Sequence, residues 1–250
     1  MPDPLYPAAG YPIRPDLEAS HRETWRRIAA TGTWWSGPER VAMAAEVRRA
    51  HACSLCAERK AAPSPFAVQG RHDAGEALSP EVVDVIHRIV TDPGRLTQSW
   101  CRGVIHAGLG EERYVELVAV VVKANALDLF PRALGADRLP LPSPQPGEPS
   151  RERVDTARDD GAWLPLVPAG PEGGDAARAL YGERETLPNI GRALSLVPDE
   201  ALGLHVLSQP HYMALDHVTD PRYVEPGRAL DRLQTELLAA RVSAINECFY

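Results

Sequence analysis

Residues 111–134 constrain the fold more than any other stretch of this chain. Glu111-Glu112 open a long helical period that runs through Val115, Val118, Val122, Leu127 and Phe130 to Leu134, and Gly135 closes it. Apolar residues on more than one side of such a helix predict that part of its surface is buried by another subunit, so a homo-oligomer is expected. The valine run at 118–122 would pass for a buried strand by composition alone, but it sits inside that uninterrupted period.

The rest of the chain reads the same way. A period starts near Asp16-Leu17-Glu18, passes Trp25 and Ile28 to Ala30, and is broken by Thr31-Gly32-Thr33. Ser36-Gly37-Pro38-Glu39 is a helix start, with Ser36 as N-cap and Pro38 in the first turn, and the helix buries Val41, Ala44, Ala45 and Val47. Ser79-Pro80-Glu81-Val82 starts another, with Val82, Val85, Ile86 and Ile89 on one face and a stop at Asp92-Pro93-Gly94. A short helix spans 99–107 and turns at Gly108-Leu109-Gly110. Strand alternation is weak almost everywhere, so the expected fold is all-α.

Proline use divides the chain of 250 residues, which has 24 of them. Residues 1–15 form an irregular arm, 16–139 a helical unit, 140–185 a Pro/Gly-rich connector with a short helix near 175–180, and 186–250 a second helical unit. In the second unit helical patterning crosses 194–206 and returns at 228–250. A net charge of −7 disfavours nucleic acid as the main partner. The longest apolar run, 117–122, is too short for a bilayer, and residues 1–15 do not read as a signal peptide, so a cytoplasmic location without a membrane partner is expected.

Chemistry enters with Cys53-Ser54-Leu55-Cys56, two of only four cysteines. On a helix, positions i and i+3 share a face, so the sulfurs can meet as a disulfide or on one metal ion. In a reducing compartment such a pair is redox-active or metal-binding rather than a permanent bridge. A metal needs four ligands, and Cys101 is single, Cys248 is single, and His51 is poorly placed to join both thiols on one ion. No metal and no cofactor is therefore expected. A thiol reaction needs a lowered thiol pKa, and Arg48, Arg49, Arg59, Lys60 and His51 cluster around the pair, with Glu46 two turns before Cys53. Cys101 reads as a small buried hydrophobe, the remaining histidines as dispersed, and Asn125, Asp128 and Arg132 as a polar stripe bonding one helix to another. Serine-hydrolase and phosphate-loop motifs are absent.

Two helices rich in small residues end on a cysteine, 38–53 and 234–248, which suggests two related units. Glu236 with Cys248-Phe-Tyr resembles the entry to the redox motif of the AhpD-like, carboxymuconolactone decarboxylase superfamily, in which a glutamate twelve residues upstream precedes Cys-x-x-Cys and a histidine follows four residues later. Leu78-Ser-Pro-Glu81, then Gly108-Leu-Gly-Glu-Glu112 and the following helix with Asn125, Arg132, Leu134 and Gly135, are similar to the segment after Cys-x-x-Cys in peroxidase-related members. The resemblance covers about residues 20–140 well and 186–250 moderately.

It implies an AhpD-like helical bundle, oligomeric, that reduces hydroperoxides with a thiol or dithiol reductant, with Cys56 attacking and Cys53 resolving the disulfide. The sequence departs from the pattern at Val41, where the upstream glutamate would stand, and at Lys60, where the histidine would stand. In the second unit Glu236 and Cys248 are kept, and the chain ends at Tyr250, where the second cysteine would come next. The alternatives are a non-catalytic helical scaffold with a degenerate site, or a cofactor-free decarboxylase-like enzyme. The candidate catalytic set is Cys53, Cys56, Glu46, His51, Lys60, Glu236 and Cys248.

Overall fold

The structure, a computed structural model, describes residues 3–212, 217 and 220–245. The helices are α1 (Pro15–Ala29), α2 (Gly37–Ala50), α3 (Ser54–Ala61), α4 (Pro80–Thr91), α5 (Gln98–Val104), α6 (Glu111–Ala133), α7 (Gly174–Tyr181), α8 (Asn189–Arg192), α9 (Pro198–Ser208) and α10 (Arg232–Ile245). Among the described residues the β-structure amounts to one bridge, Arg158 with Leu166, so the fold is all-α. No helix there is long and apolar enough to cross a membrane.

The starts follow from local chemistry. Ser36 and Glu39 cap α2 reciprocally, the Ser36 N–H donating to Glu39 at 2.9 Å, and Pro38 occupies the first turn. Ser79 caps α4 by accepting from the Val82 N–H at 3.5 Å. The turn before α6 needs positive φ at Gly108 (116°) and Gly110 (79°), where a side chain would be strained.

At the centre α2, α4 and α6 pack on one another, and α1 and α9 lie against α6. Met43 and Val47 of α2, Val85 and Ile86 of α4, and Leu117, Val120, Val121 and Leu127 of α6 share one core with Trp25, Trp35 and Leu207. Val115 faces a second cluster with Leu196 and Val197. Most of the apolar surface of α6 is thus covered from within the chain, while Val122 and Leu129 stay exposed on it. Asp128 accepts two 2.7 Å bonds from Arg48 and Asn125 meets His51 at 3.0 Å, so two residues of the polar stripe tie α6 to the α2 end. Arg132 is exposed.

Three local departures from the sequence reading have physical causes. The proline-rich connector is a strap rather than a loose linker: Leu139 and Leu141 pack on the core, and Gln145 and Arg151 donate N–H groups to Ala29 and Thr33 at 2.8 Å. Gly37 permits the strap, since a Cβ there would lie 2.3 Å from the Gln145 carbonyl oxygen. Of the period across 194–206, residues 194–197 form a turn and the helix begins only at Pro198, which cannot continue a helix but can begin one, giving α9. The boundary drawn at 185 leads straight back into the common core, because α9 packs on α1 and α6. The helices likened to one another also differ in setting. Whereas α2 buries Met43, Ala44 and Val47, α10 exposes Leu233, Leu237, Leu238, Val242 and Ile245.

Candidate metal centre

Residues 51–53 turn the chain out of α2, with the Ala52 and Cys53 N–H groups bonding to Arg49 and Ala50 carbonyls. The pair therefore opens a helix instead of ending one: Cys53 is the N-cap of α3 and Cys56 lies in its first turn. Both sulfurs sit at the positive end of a helix, where negative charge is stabilised. Asp73, from the loop between α3 and α4, caps the same turn by accepting from the Ser54 N–H at 2.8 Å and its hydroxyl at 2.9 Å.

That loop also delivers His72. Its Nδ1 lies 3.4 Å from Cys53 Sγ and 3.6 Å from Cys56 Sγ, and His87 Nδ1, from α4, lies 3.3 Å from Cys56 Sγ. One donor atom from each of the four residues lies within 4.8 Å of all the others. A zinc ion with S at about 2.3 Å and N at about 2.05 Å in tetrahedral array sets its S···N edges at about 3.6 Å. The measured separations match those edges, and two thiols with two imidazoles are a donor set that zinc takes. Cys53, Cys56 and His87 are buried, and His72 nearly so.

Each imidazole is held from behind by a carboxylate. His72 Nε2 donates to Asp84 at 2.9 Å, and Asp84 accepts from Arg59 at 2.5 Å and from Arg88 at 2.8 Å. On the other side His87 Nε2 faces Glu46 at 3.3 Å, and Glu46 also accepts from Arg49 at 2.6 Å and the Gly75 N–H at 2.8 Å. Both carboxylates face an Nε2 atom, and Arg59 Nη1 also lies 3.1 Å from His72 Nε2; once each ring holds its one proton at Nε2, both Nδ1 atoms face the sulfurs as acceptors, the carboxylate–histidine arrangement that supports a ligated metal. Burial alone would raise the Asp84 carboxyl, but bonds from His72, Arg88 and Arg59 outweigh it and hold it well below the usual carboxylate range. Burial pushes His72 down, while Asp84 and the two sulfurs push it up, to about 10. His87 is lowered, by burial first and by the charge of His72 second. Burial raises the Cys53 thiol, yet the backbone N–H groups of Asp73 and Cys56, with His72, bring it below an ordinary cysteine.

The structure brings Cys53, Cys56 and Glu46 together, Glu46 reaching the sulfurs through His87. The remaining candidates fall elsewhere. His51 is exposed and bonded to Asn125, because the chain turns sharply between it and Cys53. Lys60 is exposed in the last turn of α3, and no contact joins it to either sulfur. Glu236 lies on α10 with Tyr212 and Arg232, and Cys248 lies outside the described residues. Cys101 is buried, as its sequence context predicts. The sequence reading found only two donors for a metal ion, and the structure sets His72 and His87 beside them, fifteen and then fourteen intervening residues downstream, which makes four residues that could hold one. The one sequence signal for His87 is its place among Val82, Val83, Val85 and Ile86 on an apolar helix; His72 stands in an irregular loop without a period.

Fold and site together define an all-α protein with a buried Cys2His2 donor set backed by two carboxylates. No family model matches this chain, nor does any curated protein or solved structure.

Proposed function

We propose that this protein binds one transition-metal ion, zinc by its donor set, at Cys53, Cys56, His72 and His87. The observation that carries this reading is the convergence of four donor atoms within 4.8 Å, both histidines being anchored by carboxylates. Four protein ligands complete a tetrahedron and leave no position for substrate, so the role supported is structural. The ion would join the α2–α3 turn, the irregular loop over residues 62–79 and α4, a long connection that otherwise rests on scattered hydrogen bonds. Metal analysis of protein purified without chelators tests this: about one zinc per chain is expected, falling to background in Cys56→Ser and His87→Ala. Wild-type protein that neither carries nor takes up zinc would refute it.

A second reading is favoured by one specific observation, the line Glu46–His87–Cys56 with a lowered Cys53 thiol beside it. In this reading the metal-free thiols reduce a hydroperoxide. Cys56 thiolate takes the terminal oxygen, the alcohol leaves with a proton held at His87, and Cys53 displaces water to form the disulfide. Overall two thiols and one hydroperoxide give a disulfide, an alcohol and water, and a thiol reductant restores the pair. Here Glu46 and His87 would supply the carboxylate and imidazole that Val41 and Lys60 do not. Peroxide consumption that depends on Cys56 in metal-free protein supports this reading, and full activity in Cys56→Ser excludes it.

A further inference from the structure

A cavity of about 890 Å³ opens beside the metal centre, between α4, the α5 region and the start of α6. Its size is that of a small-molecule site. Leu78, Trp100, Val104 and Leu109 give it an apolar wall. Charged groups also line it, and all but one are accounted for. Arg59 and Arg88 are both committed to Asp84, at 2.5 and 2.8 Å. Glu39 is committed to capping α2 through Ser36, and Glu81 stays in solvent at the start of α4.

Arg113 is the exception. Its guanidinium lies 3.7 Å above the ring of Trp35, whose indole N–H donates to the Arg113 carbonyl at 2.9 Å, so ring and cation are fixed together. Its Nε is cut off from water and meets no hydrogen-bond partner among the described residues, and no carboxylate there forms an ion pair with it. A desolvated donor on a permanent cation is costly unless something answers it, and a planar fork of N–H groups is suited to an oxyanion.

We propose that this cavity binds an amphipathic anion, a carboxylate on an apolar body, with the carboxylate on Arg113 and the body along Trp100, Leu78, Val104 and Leu109. This ligand site is separate from the metal ligands and does not depend on the reading of that centre, though Asp84 and Arg59 border both.

The test uses the full chain and two fluorescent probes of similar shape, anionic 1-anilinonaphthalene-8-sulfonate and neutral N-phenyl-1-naphthylamine. Saturable binding of about one sulfonate per chain is expected, weakened at least tenfold in Arg113→Gln, while the neutral probe binds wild type and variant within twofold. Val104→Trp, which fills the apolar wall, should weaken both. On wild-type protein decanoate should displace the sulfonate at a tenfold lower concentration than decanol, a result that stands even if Arg113→Gln does not fold. The proposal is overturned if wild type binds no sulfonate, if Arg113→Gln or Val104→Trp binds it as wild type does, or if decanol competes as well as decanoate.

Discussion

Two buried polar regions each draw a side chain from α2, Arg40 in one and Glu46 in the other, and they are built on opposite principles. In the first, Arg40, Glu116, Lys123 and Glu200 bring together two cations and two anions from α2, α6 and α9. Arg40 pairs with both glutamates, at 2.8 Å to Glu200; Lys123 pairs with Glu200, and Glu116 also accepts from the Trp34 N–H at 2.7 Å. Opposite charges of the protein's own answer one another there. In the second, the sulfurs and imidazole nitrogens of Cys53, Cys56, His72 and His87 are all electron-pair donors turned toward a common point. The first arrangement balances its own charges and holds α9 to the core, although Arg40 Nε meets no hydrogen-bond partner among the described residues; the second has the form of a ligand set. A buried polar cluster whose members are all donors of one kind is therefore informative about function in a way that a balanced ion network is not.

Removing a single member should separate the regions. The largest effect is expected from His87→Ala or Cys56→Ser, which should lose bound zinc altogether; unequal unfolding midpoints with and without chelator in wild type should become equal in these variants. Next, Glu200→Gln leaves Arg40 and Lys123 short of an anion and should cost about 3–5 kcal/mol in denaturant unfolding, with zinc content unchanged. Zinc loss in Glu200→Gln under native conditions would break the comparison.

Acid should act on a third buried group. Tyr6 bonds His21 Nδ1 at 2.7 Å, and His21 is lowered to about 4, by burial first and His211 second. Because the unfolded chain takes up that proton near pH 6.5 and the folded chain does not, this stability is present above pH 6.5 and is lost as pH falls toward 4, by an amount on the order of 1–3 kcal/mol. His21→Gln should flatten the midpoint-against-pH curve of the metal-free protein in that window. Asp84→Asn, which loosens His72 without removing a ligand, should weaken zinc binding about 10- to 100-fold in a competitive chelator titration. His51→Ala and Lys60→Ala should change neither zinc affinity nor stability by more than about 0.5 kcal/mol.

The helices were legible where proline, glycine and capping residues punctuate an apolar period, as at Ser36-Gly37-Pro38 and Ser79-Pro80. They were less so at 194–206, where Pro198 divides one apparent period, and at 140–185, where composition suggested a linker although the backbone is bonded to α1 and its flanks. Of the centre, the cysteines and Glu46 could be read from spacing and charge. The histidines could not, because His72 lies on an irregular loop and its approach to the thiols depends on packing among α2, α3 and α4. A lone histidine on an apolar helix, such as His87, shows its role only once the facing sulfur and carboxylate are in place.

The central claim is that four specific donors enclose one metal ion, and cobalt(II) titration of the metal-free protein tests it most directly. The account predicts intense visible absorption characteristic of tetrahedral sulfur–nitrogen ligation, saturating at one equivalent per chain, displaced by zinc and absent in His72→Ala. A titration that produces only the weak absorption of octahedral cobalt, or one that His72→Ala leaves unchanged, would contradict it.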